Sequence, residues 1–107
     1  MIYQRPGEEG SFVSFKTHYN NYIGGRWVEP ISGNYFENTS PVDGKVYCKV
    51  ARSTEADINL ALDVAHKARE SWALTSVTER ANILLKIADT VEEHLEELAI
   101  IETWENG

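Results

Sequence analysis

At 107 residues, with a net charge of −7 from 17 acidic and 10 basic side chains, the chain has room for one small domain and not for two. A composition of 42% hydrophobic and 25% charged residues is that of a folded globular protein and excludes a chain disordered throughout. The acidic excess repels phosphate backbones and argues against nucleic acid as a partner.

The opening segment, Met1 to Gly10, is polar and lacks the apolar core of a secretory signal. Pro6, Gly7 and Gly10 break any regular pattern, so residues 1–20 read as a leader or arm in which Phe12, Val13 and Phe15 dock loosely on a neighbour. Residues 21–52 form a β-hairpin region. Tyr22-Ile23-Gly24-Gly25-Arg26-Trp27-Val28 sets a glycine pair between β-favouring residues and predicts a hairpin or bent strand. Tyr35–Thr39 predicts a further short strand, Ser40-Pro41-Val42-Asp43-Gly44 a turn, and Lys45–Ala51 a third strand. No pairing is expected beyond the hairpins.

Residues 53–107 change to a helical period. Thr54 with Asp57 makes a weak capping box ahead of the stripe Ile58, Ala61, Leu62, Ala65 and Trp72. After a break at Ala73-Leu74-Thr75, Ser76 with Glu79 makes a better one ahead of Leu84, Ile87, Ala88 and Val91. These two helices form a hairpin. The second stripe continues through Leu95, Leu98 and Glu102 with no glycine or proline to interrupt it, so periodicity alone extends that helix directly. The final Asn106-Gly107 is a helix-stop and turn signal, and the expectation is that it connects to more chain. Two long amphipathic helices also need a surface that three short strands do not supply.

No catalytic constellation emerges from the residues themselves. Gly24-Gly25 lacks the surroundings of a phosphate loop and reads as a tight turn. Cys48 sits in an alternating strand pattern and reads as a small core residue; as the single cysteine it excludes an internal disulfide and fits a reducing cytoplasm. His18, His66 and His94 are scattered without metal-ligand spacing. The run Glu92, Glu93, Glu96 and Glu97 is a solvated helix face, and Trp27, Trp72 and Trp104 are packing anchors. The longest apolar run, Leu98-Ala99-Ile100-Ile101, is far short of a membrane span.

Taken in order, the segments resemble the N-terminal part of an NAD(P)-dependent aldehyde dehydrogenase. Tyr22–Val28 is similar to the family's opening I-x-G-x-W hairpin. Phe36 through Ser40-Pro41-Val42-Asp43-Gly44-Lys45-Val46 is similar to its N-P-x-x-G turn, with Ser in place of Asn. Asp57–Ala65 with Trp72, and Glu79–Asp89, fit its first two helices. Leu98-Ala99 with Glu102-Thr103-Trp104-Glu105-Asn106-Gly107 resembles L-A-x-x-E-T-x-D-N-G. The likeness covers residues 20–107, and Ala65-His66-Lys67-Ala68 with Glu102-Thr103-Trp104 looks most like the bacterial acetaldehyde dehydrogenase subgroup.

The resemblance implies an α/β fold: the N-terminal part of the aldehyde dehydrogenase fold, short β-hairpins followed by three α-helices, an incomplete Rossmann-like cofactor domain. It implies NAD or NADP as cofactor of the full-length enzyme, with none expected to bind this chain alone. It also implies the remainder of the dehydrogenase chain as partner, a homo-oligomer, and catalytic and cofactor-binding residues that lie outside this sequence. A structural monovalent cation site transfers onto Asn38, Thr39 and Glu105, with Glu replacing the family's Asp. The resemblance further places a helix break near His94 to Glu96, and that break is expected in preference to the continuous helix of periodicity alone. The alternative is a stand-alone remnant that self-associates or binds an intact subunit.

Overall fold

The computed structural model describes residues 4–107; Met1, Ile2 and Tyr3, at the head of the expected leader, lie outside the described residues. Five strands precede three helices: β1 His18–Tyr19, β2 Asn21–Ile23, β3 Arg26–Val28, β4 Tyr35–Thr39, β5 Val46–Ala51, α1 Glu55–Ala73, α2 Val77–Glu93 and α3 Leu95–Asn106. The chain divides into two compact units. One holds Thr17–Asn38 and Val46–Thr75; the other holds the segment ending at Lys16 together with Thr39–Lys45 and Ser76–Gly107.

In the first unit, β2 and β3 pair antiparallel with Asn21 opposite Val28, Tyr22 opposite Trp27 and Ile23 opposite Arg26. The two-residue turn between them is Gly24 (φ 64°) and Gly25 (φ 80°). Two successive positive φ values make the turn whose twist matches a hairpin, which is why a glycine pair stands there. Tyr22 and Trp27 meet edge to face across the strands, their centroids 5.0 Å apart. β5 lies at the centre of a three-stranded sheet, between β1 and β4. β1 was not expected. It lies within the leader and pairs in parallel with β5, His18 beside Lys49 and Tyr19 beside Val50. The expectation of no pairing beyond the hairpins is therefore corrected. The pairing joins segments far apart in sequence, and two residues carry no period by which a strand is recognised.

α1 begins at a reciprocal polar junction. The buried Asp57 carboxylate accepts the N–H of Thr54 (2.9 Å) and, with its other oxygen, the N–H of Ile31 (2.9 Å). One side chain thus closes the helix N-terminus and ties down the loop after β3. The Thr54 and Ile31 N–H groups, in that order, hold the Asp57 carboxyl below its ordinary 3.8, against an opposing effect of burial.

In the second unit, the Ser76 hydroxyl accepts the N–H of Glu79 (3.1 Å) and the Glu79 carboxylate accepts the N–H of Ser76 (3.1 Å), completing the expected capping box of α2. α2 stops at Glu93. His94 leaves helical geometry (φ −105°, ψ 18°) and α3 starts at Leu95, so the break that the resemblance places near His94 to Glu96 is present, and the uninterrupted helix of periodicity alone is corrected. The His94 N–H reaches both Thr90 and Val91 carbonyls at 3.2 Å, so the ladder tightens and turns without needing a breaker residue. Val13, expected to dock loosely, is buried: Gly7 N–H bonds its carbonyl (2.9 Å) and so does the Ser11 hydroxyl (2.7 Å).

Little apolar surface is covered. Among the described residues the buried hydrophobic side chains are Val13, Cys48 and Ile100. The stripes that define the helices face outward, with Ile58 at 56%, Leu84 at 67% and Ile87 at 54% exposure. The helical period is therefore real, but the surface it is designed to meet is not supplied by these residues.

Replacing Asp57 by Asn should lower the thermal midpoint by several degrees and flatten its pH dependence. Because the folded carboxyl titrates below 3.8, the stabilisation is complete above that value and is lost as pH falls from there through the folded-state value. Circular dichroism melts of both proteins across that acid range check the sign. Ser76→Ala removes an N-cap acceptor and should cost about 1 kcal/mol, read as a lower urea midpoint at unchanged slope.

Candidate functional site

The turn after β4 is built by its own polar side chains. Ser40 N–H bonds the Lys45 carbonyl (3.0 Å) and Gly44 N–H bonds the Ser40 carbonyl (2.9 Å), with Gly44 at φ 68°. Asp43 accepts the Lys45 N–H through one oxygen (3.0 Å) and meets the Arg5 guanidinium with the other (2.9 Å). The Lys45 N–H holds the Asp43 carboxyl below its ordinary value; burial opposes this, and the Arg5 charge adds to it.

Ser40 is 1% exposed. Its hydroxyl donates to the Trp104 carbonyl at 2.6 Å and accepts the Val42 N–H at 3.2 Å. Trp104 lies in the last turn of α3, where carbonyls lack intrahelical donors, so Ser40 supplies one of the missing partners. Gly107 completes the helix end: at φ 82° its N–H bonds the Thr103 carbonyl (2.8 Å), and a side chain there would meet the Pro41 ring at 3.5 Å.

This clasp governs two of the three cation-site residues expected from sequence. Thr39 directly precedes Ser40, and Glu105 directly follows Trp104, so one short hydrogen bond ties together the backbone next to both. Both residues are exposed. Asn38 belongs to the other unit, where its side-chain amide donates to the Tyr47 hydroxyl (2.7 Å). The last turn of α3 carries no basic residue, so no cation of the helix's own offsets the partial negative charge of its carbonyl end. The donor chemistry, backbone carbonyl and carboxylate oxygen, suits a hard ion, and one carboxylate balances a single positive charge.

The remaining candidates do not assemble into a site. Among the described residues, no three His, Cys, Asp or Glu side chains converge as a metal-binding group. His18 packs edge-on against Tyr35 (4.8 Å), and the His94 ring lies 3.1 Å from the Glu97 carboxylate. The Cys48 thiol is buried in β5, as a core reading requires. Gly24-Gly25 closes its hairpin. No described helix is long and apolar enough to cross a membrane.

Two features escaped the sequence. Ser40 was visible only as a departure from the family's Asn, because nothing local announces a contact 64 residues away. A cavity of about 500 Å³ lies against α3, lined by Val42, Glu96, Ala99, Ile100, Thr103 and Trp104. Five of those six are helically spaced on α3 and could have been found by period; Val42 could not.

Residues 27–107 match the aldehyde dehydrogenase family. An aldehyde dehydrogenase of Deinococcus radiodurans is 61% identical over 105 residues, which cover 98% of this chain and 20% of that protein. An acetaldehyde dehydrogenase of Pseudomonas aeruginosa is 57% identical over 107 residues, all of this chain and 21% of that one. The solved NAD+ complex of an aldehyde dehydrogenase from Bacillus cereus superimposes with a TM-score of 0.80 at 39% identity, over 84% of this chain and 19% of that one. The chain thus spans about a fifth of the length of the curated relatives it matches. With the match extending from β3 to the end of α3, and with this α/β arrangement shared by the solved structures, the chain belongs to the aldehyde dehydrogenase family.

Proposed function

We propose that this chain is the N-terminal portion of an NAD(P)-dependent aldehyde dehydrogenase that oxidises a short-chain aldehyde, acetaldehyde, to its carboxylate in the cytoplasm as a homo-oligomer. Residues 1–20 act as an arm, 21–52 as the hairpin region and 53–107 as the helical part of a cofactor-binding domain. The observation that carries the reading is the family match over 27–107, joined to apolar stripes on α1 and α2 in which Ile58, Leu84 and Ile87 are more than half exposed. The P. aeruginosa relative supports the choice of substrate, and the NAD+ complex of the B. cereus enzyme supports the cofactor.

The reaction in such an enzyme needs a thiolate nucleophile to form a thiohemiacetal and water to hydrolyse the resulting thioester. The nicotinamide supplies the hydride acceptor when bound. The residues described here supply neither the nucleophile nor a dinucleotide loop, since Cys48 is buried in β5 and Gly24-Gly25 forms a hairpin turn. Their part is support: capped helices whose apolar faces rest on the rest of the polypeptide. Thr39 and Glu105 would hold a structural monovalent cation through a carbonyl and a carboxylate oxygen, with Asn38 preceding them in β4.

The purified 107-residue chain should therefore show no acetaldehyde-dependent NADH formation and no saturable quenching of its tryptophan fluorescence by NAD+. Oxidation that disappears in Cys48→Ser would refute the support role.

A second reading, a stand-alone remnant that self-associates, draws on the same exposed stripes. One flank of α2 opposes it. Glu79, Lys86 and Glu93 recur every seven residues, so an antiparallel copy centred on Lys86 sets Glu79 against Glu93 and Lys86 against itself. Light scattering at micromolar concentration should give no discrete dimer built on α2; a dimer lost in Ile87→Asp would favour this second reading.

A further inference from the structure

We infer that Asn106–Gly107 is a site of spontaneous deamidation, and that the hydrogen bonds holding the end of α3 set its rate. It is the one Asn-Gly step in the sequence. The Gly107 nitrogen attacks the side-chain carbonyl carbon of Asn106; a C–N bond forms and the bond to the amide nitrogen breaks. Ammonia leaves, carrying the proton from the Gly107 nitrogen. Water then opens the cyclic imide to aspartate or isoaspartate, with no change of oxidation state. Glycine after asparagine is the favourable case, because no side chain hinders the attack and the backbone turns into it freely.

Asn106 is exposed to water, yet the fold restrains each partner in the step. As the last residue of α3 it has helical backbone, which tilts its side chain toward the helix N-terminus and away from the Gly107 nitrogen. That nitrogen is itself engaged, its N–H donating to the Thr103 carbonyl at 2.8 Å. The leaving group is held too, since the Asn106 amide donates to the Glu102 carboxylate. These restraints last as long as the last turn of α3 does, and the Ser40 hydroxyl holds that turn from outside through the Trp104 carbonyl at 2.6 Å. The product then weakens its own protection. An acid at position 106 faces Glu102 one turn back, so a hydrogen-bonded pair becomes two like charges at the negative pole of the helix. The last turn carries no basic residue to offset them. Conversion is thus a one-way loosening of the end of α3.

The test incubates the 107-residue chain at mildly alkaline pH and follows the amide-to-acid mass change at Asn106 by peptide mass spectrometry. Wild type should convert on the order of tenfold more slowly in native buffer than in denaturing urea, because reaction requires the helix end to open. In native buffer Ser40→Ala should convert about fivefold faster than wild type, through loss of one buried hydrogen bond. Glu102→Ala, an exposed change that frees the Asn106 amide, should convert about twofold faster. Asn106→Asp, which mimics one product, should melt below wild type. Absence of conversion in urea would overturn the site itself. Equal wild-type rates in buffer and urea would overturn its control by the fold, and equal rates for Ser40→Ala and wild type would overturn the part given to the Ser40 bond. Should Ser40→Ala lose its cooperative transition, Glu102→Ala decides: faster conversion supports control by the helix end, and an unchanged rate overturns it.

Discussion

The structure is governed by a shortage of buried apolar surface. Only Val13, Cys48 and Ile100 are buried hydrophobic residues among those described, so burial at about 25 cal/mol per Å² cannot be what holds each unit together. Polar junctions carry that work instead. In one unit the Asp57 carboxylate gathers the Thr54 and Ile31 N–H groups. In the other the Ser40 hydroxyl joins a turn to the end of α3. Each junction is buried, and each satisfies backbone groups that a helix terminus or turn leaves without partners. Losing the side chain would therefore leave several groups unmatched, which is a larger penalty than one hydrogen bond gained.

What the residues disclosed in advance follows from the range of the interaction. The Gly24-Gly25 turn, the Thr54–Asp57 and Ser76–Glu79 boxes and the extent of β4 all depend on residues within a few positions of one another, and all could be read from spacing. The parallel pairing of β1 with β5 could not, since a two-residue strand has no pattern of its own. Asp57 illustrates the boundary. Its contact three residues back was visible as a capping box, whereas its bond to Ile31, 26 residues away, was not. The α2–α3 break, expected from the resemblance, was hidden from the period for a different reason. A single residue in non-helical geometry at His94 leaves the apolar period almost in phase on either side. The residues expected at a cation site were legible only through the resemblance, because Thr39 and Glu105 carry no local mark of a ligand set, and the Ser40–Trp104 bond beside them joins residues far apart in sequence.

The division between scaffold and chemistry has the same physical root. A nucleophile must be reachable and a dinucleotide loop must open a helix, and neither condition is met where Cys48 is buried and Gly24-Gly25 closes a hairpin. What the chain does present is outward-facing apolar stripes on well-capped helices. The N-terminal ends of these helices are closed by their own side chains, Asp57 in α1 and Ser76 with Glu79 in α2. Helix ends closed locally in this way lower the ordering cost that any covering surface has to offset.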